Sequence, residues 1–265
     1  MSSTTSGRGR TRGTVVAAAV LVAVVILGLA SLTATPGGSP SAPVATPSAS
    51  ASSANGSAGT QMPPELERAL LALARRVVDD GSAMGRVDAP VVLIEYADFQ
   101  CPYCGKFARD TKPQLMKYVE DGTLRIEWRN FPIFGEESTA AARAGYAAAQ
   151  QGRFWEFYNV AFSKERTRNS GAFAPDKLEK MAREAGVPDL DRFRADMKSK
   201  AAQDSIDRDS EEGYGIGVTS TPTFLVNTQP ILGAQPFEAF EAAIEKARLT
   251  AGKPRVTSSP EVTGK

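Results

Sequence analysis

Residues 91–97, VVLIEYA, are apolar at all but one position, as expected of a central strand covered on both faces. The stretch that follows, CPYCGKFARDTKPQLMKYVE, has helical spacing and predicts a helix over about 102–120. Pro113 should kink it, because proline lacks the main-chain donor. LRIEWRNFPI (124–133) then alternates like a strand, completing a βαβ unit with a parallel pair. From about 136 to 212 the pattern is helical throughout, in TAAARAGYAAAQQGRFWEFYNVAFSK, APDKLEKMAREAG and PDLDRFRADMKSKAAQDSIDRDSEEG. TFLVN (223–227) and QPILG (229–233) return to strand character around a turn at Asn227, and PFEAFEAAIEKARL (236–249) predicts a closing amphipathic helix. Upstream, PPELERALLALARRVVDD begins with prolines suited to a helix start and carries Leu66, Leu70, Leu73 and Val77 on one helical face. It predicts an amphipathic helix over 64–80. The fold class is α/β: a βαβ half and a ββα half separated by a helical insertion over about 136–212.

The N-terminal quarter has a different texture. Residues 14–32 form an uncharged apolar run close to the ~20 residues that cross a bilayer. Arg8, Arg10 and Arg12 precede it, and no basic residue follows until Arg68. That asymmetry predicts a cytoplasmic N-terminus over 1–13, a transmembrane anchor over 14–34 and an extracytoplasmic remainder. Cleavage of the run as a signal peptide, giving a secreted protein, is the alternative. Residues 35–62 are almost wholly Ser, Ala, Pro, Thr and Gly, and predict a disordered linker. The folded domain is expected over 63–250, with a flexible tail over 251–265.

Charge adds little: 31 lysines and arginines against 30 aspartates and glutamates give a net charge of +1, which does not favour nucleic acid as a partner. The residue inventory is more decisive. The 265 residues include no histidine, which removes Ser-His and Cys-His nucleophile pairs, and only two cysteines, both in the segment FQCPYCGKF. A tetrahedral zinc site needs four ligands, and neither a third cysteine nor a histidine exists to supply them. As a structural staple, a disulfide closing a loop of two intervening residues removes little chain entropy. A redox pair fits better. Cys101 falls where a strand ends and a helix begins, so unpaired backbone N–H groups favour its thiolate. Cys104 follows one turn later, within disulfide reach, and Pro102 suits the first helical position. No cofactor and no metal are expected.

The segments IEYADFQCPYCGKF and GVTSTPTFLVN, together with the element order, resemble the thioredoxin superfamily, and within it the extracytoplasmic DsbA-like branch. The resemblance covers about residues 84–249 and implies a thioredoxin fold. It implies that Cys101 and Cys104 are the redox pair, with Pro102 and Tyr103 as the intervening dipeptide. It also implies that Pro222 is cis beside the sulfurs, where the backbone of Thr221 would bind an extended substrate; a trans proline opening an edge strand is the plainer alternative. Glu95, six positions before Cys101, matches the buried acid of the family, which would exchange a proton with Cys104; an acid at a half-exposed strand position is its alternative. Two features depart from the family pattern. Tyr103 stands where DsbA has histidine, giving the CPYC usual in cytosolic glutaredoxins, although the export segment and the helical insertion argue against that class. The helix at 64–80 is an addition, expected to pack on the core as an extra layer. The function implied is dithiol–disulfide exchange that oxidises cysteines of exported proteins, with a membrane redox partner restoring the pair. A reductase or isomerase of the same fold is one alternative, and a polypeptide-binding chaperone module is another.

Overall fold

A computed structural model describes residues 62–251. The expected cytoplasmic N-terminus and transmembrane anchor lie outside the described residues, as do the linker up to residue 61 and the tail from residue 252. Among the described residues no helix is long and apolar enough to cross a membrane.

Five strands form one mixed sheet in the order β1-β3-β2-β4-β5. They are β1 Ala83–Met84, β2 Val91–Ala97, β3 Leu124–Asn130, β4 Thr223–Val226 and β5 Gln229–Leu232. β2 and β3 are parallel, Val91 opposite Leu124 and Ala97 opposite Asn130, while the other pairings are antiparallel. The β4–β5 hairpin turns at Asn227, whose φ of 53° lies in the left-handed region that asparagine tolerates. VVLIEYA is buried at all seven positions, as its composition predicts.

The two sheet faces carry different chemistry. On one, Val91 and Leu93 of β2, Leu124 and Ile126 of β3, and Phe224 and Val226 of β4 pack against Phe107, Leu115 of α3 (Lys112–Glu120), and Phe240 and Ile244 of α9 (Phe237–Ala251). On the other, Val92, Ile94 and Tyr96 pack with Phe131, Val218 and Leu225, and with Leu70, Leu73 and Ala74 of the N-terminal segment. The insertion consists of α4 Glu136–Ala149, α5 Phe154–Phe162, α6 Pro175–Glu184, α7 Leu190–Met197 and α8 Lys200–Gly215. It is less continuous than its sequence pattern, since residues 150–153 and 163–174 contain no helix.

Three further differences from expectation, and the expected irregularity at Pro113, have local causes. The N-terminal helix, α1, is Pro64–Leu71 and does not reach residue 80. The backbone N–H groups of Arg75 and Arg76 donate instead to the Glu127 carboxylate, at 3.0 and 2.9 Å, and Arg76 and Asp79 adopt positive φ, which ends a helix. The helix after the cysteines is interrupted before Pro113: α2 is Pro102–Lys106, a π turn spans Phe107–Thr111, and α3 begins at Lys112. Proline donates no bond to the turn before it, and a π turn accommodates the gap. β3 stops at Asn130 because Pro132 has no donor and the N–H groups of Ile133 and Phe134 turn to the Asp98 carboxylate. The two-residue strand β1, not expected from the pattern, pairs with Ile126 and Glu127 of β3.

β3 shows why the N-terminal segment is held. Its alternate residues Arg125, Glu127 and Arg129 are all buried, and Glu127 pairs with both arginines, at 2.9 and 2.8 Å. Arg125 donates to the Val77 carbonyl and Arg129 to that of Leu73, while Arg129 and Arg75 both reach Glu212 of α8. Burial alone would raise the Glu127 pKa, but hydrogen bonds from Arg125 and Arg129 overcome it and hold the group at about 2.

Candidate active site

The ends of β2 and β4 meet at the cysteines. β2 ends at Ala97, and the Asp98 carboxylate then fixes the next turn by accepting from the Gln100 N–H at 2.7 Å and the Ser138 hydroxyl at 2.7 Å. Cys101 caps α2 with extended backbone, its own N–H donating to the Asp98 carbonyl, and Pro102 takes the first helical position. From the other side, the Thr221–Pro222 peptide bond is cis, and the Cys101 thiol donates to the Thr221 carbonyl at 3.2 Å. Both cysteines are free and buried. Pro102 and Tyr103 are exposed, the latter at 63%.

The two thiols occupy unequal surroundings. A hydrogen bond from Cys104 is the largest influence on Cys101; with contributions from Thr221 and the backbone N–H groups of Tyr103 and Cys104, it outweighs partial burial and pulls the pKa down to about 6. The Thr221 hydroxyl is buried without a hydrogen-bond partner among the described residues. Cys104 is sealed from solvent, and burial first, then the neighbouring Cys101 and Glu95, drive its pKa well above the ordinary thiol value. The sealing wall is aromatic: Phe99 packs against Trp128 at 4.9 Å between ring centres and against Phe162 at 5.3 Å, with Phe154, Phe157 and Tyr158 completing it.

Glu95 lies wholly within this wall, at 0% exposure, and not at a half-exposed position. Burial pushes its pKa up to about 8, against opposing effects of Lys112 and of the Tyr158 hydroxyl, which donates to its carboxylate at 3.4 and 3.5 Å. The structure therefore brings Cys101, Cys104, Glu95, Thr221 and Pro222 to one end of the sheet. Lys112, Tyr158 and Trp155 join them without having been singled out in the sequence. A signal existed for Lys112: it shares helical spacing with the buried Leu115 and Tyr118, which puts it on the covered face of α3. Among the described residues no cluster of acidic or cysteine side chains has the arrangement of a metal site.

Strand, CxxC turn, cis proline and helical insertion together define a class, the proteins of thioredoxin fold that carry a paired-cysteine turn. Comparison with known proteins agrees. The Thioredoxin family model matches residues 78–246, and the chain belongs to this family, in its DsbA-like branch. A "Probable disulfide bond formation protein D" of Bacillus cereus is 29% identical over 169 residues, covering 62% of this chain and 77% of that protein. A "Na(+)/H(+) antiporter NhaA 3" of Salinispora tropica is 32% identical over 199 residues, covering 71% of this chain but 29% of the antiporter. The chain thus spans under a third of the length of that relative. Oxidised BdbD of Bacillus subtilis superposes with a TM-score of 0.60 at 23% identity, covering 65% of this chain and 95% of BdbD, which establishes the shared fold.

Proposed function

We propose that this protein is a membrane-tethered, extracytoplasmic thiol–disulfide oxidoreductase that oxidises cysteines of exported proteins through Cys101 and Cys104. The observation that carries this reading is the inequality of the two thiols: one acidic and at the N-terminus of the helix, the other wholly buried behind it beside a buried carboxylic acid. A stabilised Cys101 thiolate favours the reduced form, so the Cys101–Cys104 disulfide accepts electrons readily.

In the oxidising direction a substrate thiolate attacks the Cys101 sulfur. The Cys101–Cys104 bond breaks, and the Cys104 sulfur leaves with the electron pair and takes a proton from Glu95. A second substrate thiolate then attacks the substrate sulfur of the mixed disulfide and releases Cys101 as its thiolate. The substrate has lost two electrons and the enzyme has gained them; a disulfide-bearing membrane partner removes them again. The backbone around Thr221 and Pro222 offers the substrate segment a strand edge. The expected anchor over 14–34 and linker over 35–62 would hold this chemistry on the outer side of the membrane.

The test is oxidative refolding of a reduced substrate protein by the full chain and by Cys101→Ala and Cys104→Ala variants. Wild type accelerates disulfide formation, Cys101→Ala does not, and Cys104→Ala accumulates reductant-sensitive adducts with the substrate. Equal acceleration by wild type and Cys101→Ala would identify a chaperone module. Net reduction or shuffling of disulfides would identify a reductase or isomerase.

A further inference from the structure

Lys112 is the one lysine buried among the described residues. Its ammonium lies 5.0 Å from the ring centre of Trp155 and 4.9 Å from that of Tyr158, both on α5. Its single hydrogen bond is a long one, 3.5 Å to the Asn159 side chain, and no carboxylate lies within ion-pair distance of it among the described residues. Ring faces hold a cation in place without neutralising it. The charge is therefore fixed but uncompensated, and the hydroxyl of one of the rings holding it, Tyr158, donates to Glu95.

The chain geometry aims Lys112 inward. It is the first residue of α3, immediately after the π turn, and its N–H closes that turn on the Phe107 carbonyl. A π turn inserts a residue into the helix and rotates everything after it, which brings Lys112, Leu115 and Tyr118 to the covered face. The groups facing Glu95 are Lys112 from α3, Tyr158 from α5, and Cys101 and Cys104 from the start of α2. The flanking strands present Trp128 and Phe224, neither of which titrates.

We propose that Lys112 is a positioning residue for the redox reaction: its ammonium, clamped between Trp155 and Tyr158, favours the ionised form of Glu95 and so sets the pH at which Cys104 is deprotonated for attack. The inference rests on the reading of Glu95 as the proton acceptor for Cys104. In the resolving step the Glu95 carboxylate takes the Cys104 proton, and the Cys104 sulfur attacks Cys101 in the mixed disulfide. The bond from Cys101 to the substrate sulfur breaks, and the substrate leaves as a thiolate. Without the cation, the carboxyl in its apolar wall keeps its proton to higher pH, because desolvation goes unopposed.

The reduced full chain reacted with an aromatic disulfide that releases a coloured thiolate separates the steps. The first equivalent reports attack by Cys101, and the second reports attack by Cys104 on the mixed disulfide. In Lys112→Met the pH midpoint of the second phase should move alkaline by about one unit, slowing it about tenfold at pH 7, and Lys112→Arg should restore it. Should Lys112→Met fail to fold, Lys112→Gln carries the same expectation. A second-phase midpoint equal to wild type in Lys112→Met or Lys112→Gln, with Glu95→Gln abolishing the dependence, would overturn the role of Lys112 alone. A wild-type profile in Glu95→Gln would instead overturn the proton-acceptor reading beneath it.

Discussion

Cys101 and Cys104 carry the same functional group three positions apart, and what surrounds each sets them apart. Cys101 stands at the helix start with donors around it, whereas Cys104 is sealed behind an aromatic wall that also encloses Glu95. Such a carboxyl burdens the fold in a pH-dependent way. Between its ordinary value of 4.5 and about 8, the folded form holds one proton that the unfolded chain has released. Stability contributed at this site therefore falls as pH rises through that window. Glu95→Gln removes the effect and should stabilise the protein at pH 7 by up to roughly 3 kcal/mol, with no gain below pH 4. Urea unfolding across this pH range measures it, and an equal change in stability at both ends would show that Glu95 titrates normally.

At the scale of elements, the insertion closes both faces of the sheet. α5 supplies the wall behind the cysteines, and α8 lies against β3 on the opposite face, where Glu212 meets Arg75 and Arg129. α8 approaches closely because Gly213 faces the sheet. A Cβ there would stand 2.7 Å from the Phe131 ring and 3.1 Å from that of Tyr96, both buried side chains with little room to move. Gly213→Ala should thus destabilise the domain by roughly 1–3 kcal/mol despite the better helix propensity of alanine. Thermal unfolding tests this, and an unchanged or raised midpoint would mean that the α8–sheet contact yields easily.

For the whole molecule, the proposed arrangement has the catalytic domain outside the membrane, with the CPYC end of the sheet open to large substrates through the exposed Pro102 and Tyr103. Protease added to intact spheroplasts should digest the chain beyond residue 62, and protection of that region would put the domain on the cytoplasmic side. How the molecule is put together was only partly legible. VVLIEYA, the CPYC turn and the Asn227 hairpin announce themselves because each depends on residues adjacent in sequence: unbroken apolarity, a proline at the first helical position, a left-handed turn.

The sequence by itself determined the class of fold and the pairing of its only two cysteines in one turn between strand and helix, since strand and helix periods and a two-cysteine inventory are local facts. The tertiary structure decided what covers each face. Arg125, Glu127 and Arg129 have the alternation of a solvated strand face, yet they are buried, because a carboxylate at 127 captures backbone groups at 75 and 76 and draws the N-terminal segment out of helix and onto the sheet. Lys112 has the composition of a surface position and lies inside, because a π turn before Pro113 rotates it toward aromatic rings that the chain supplies some forty residues later. A hydrophobic period reports which residues share a face. Whether that face meets water depends on partners distant in sequence, and burial, which those partners supply, is what moves the acidity of Cys104 and Glu95.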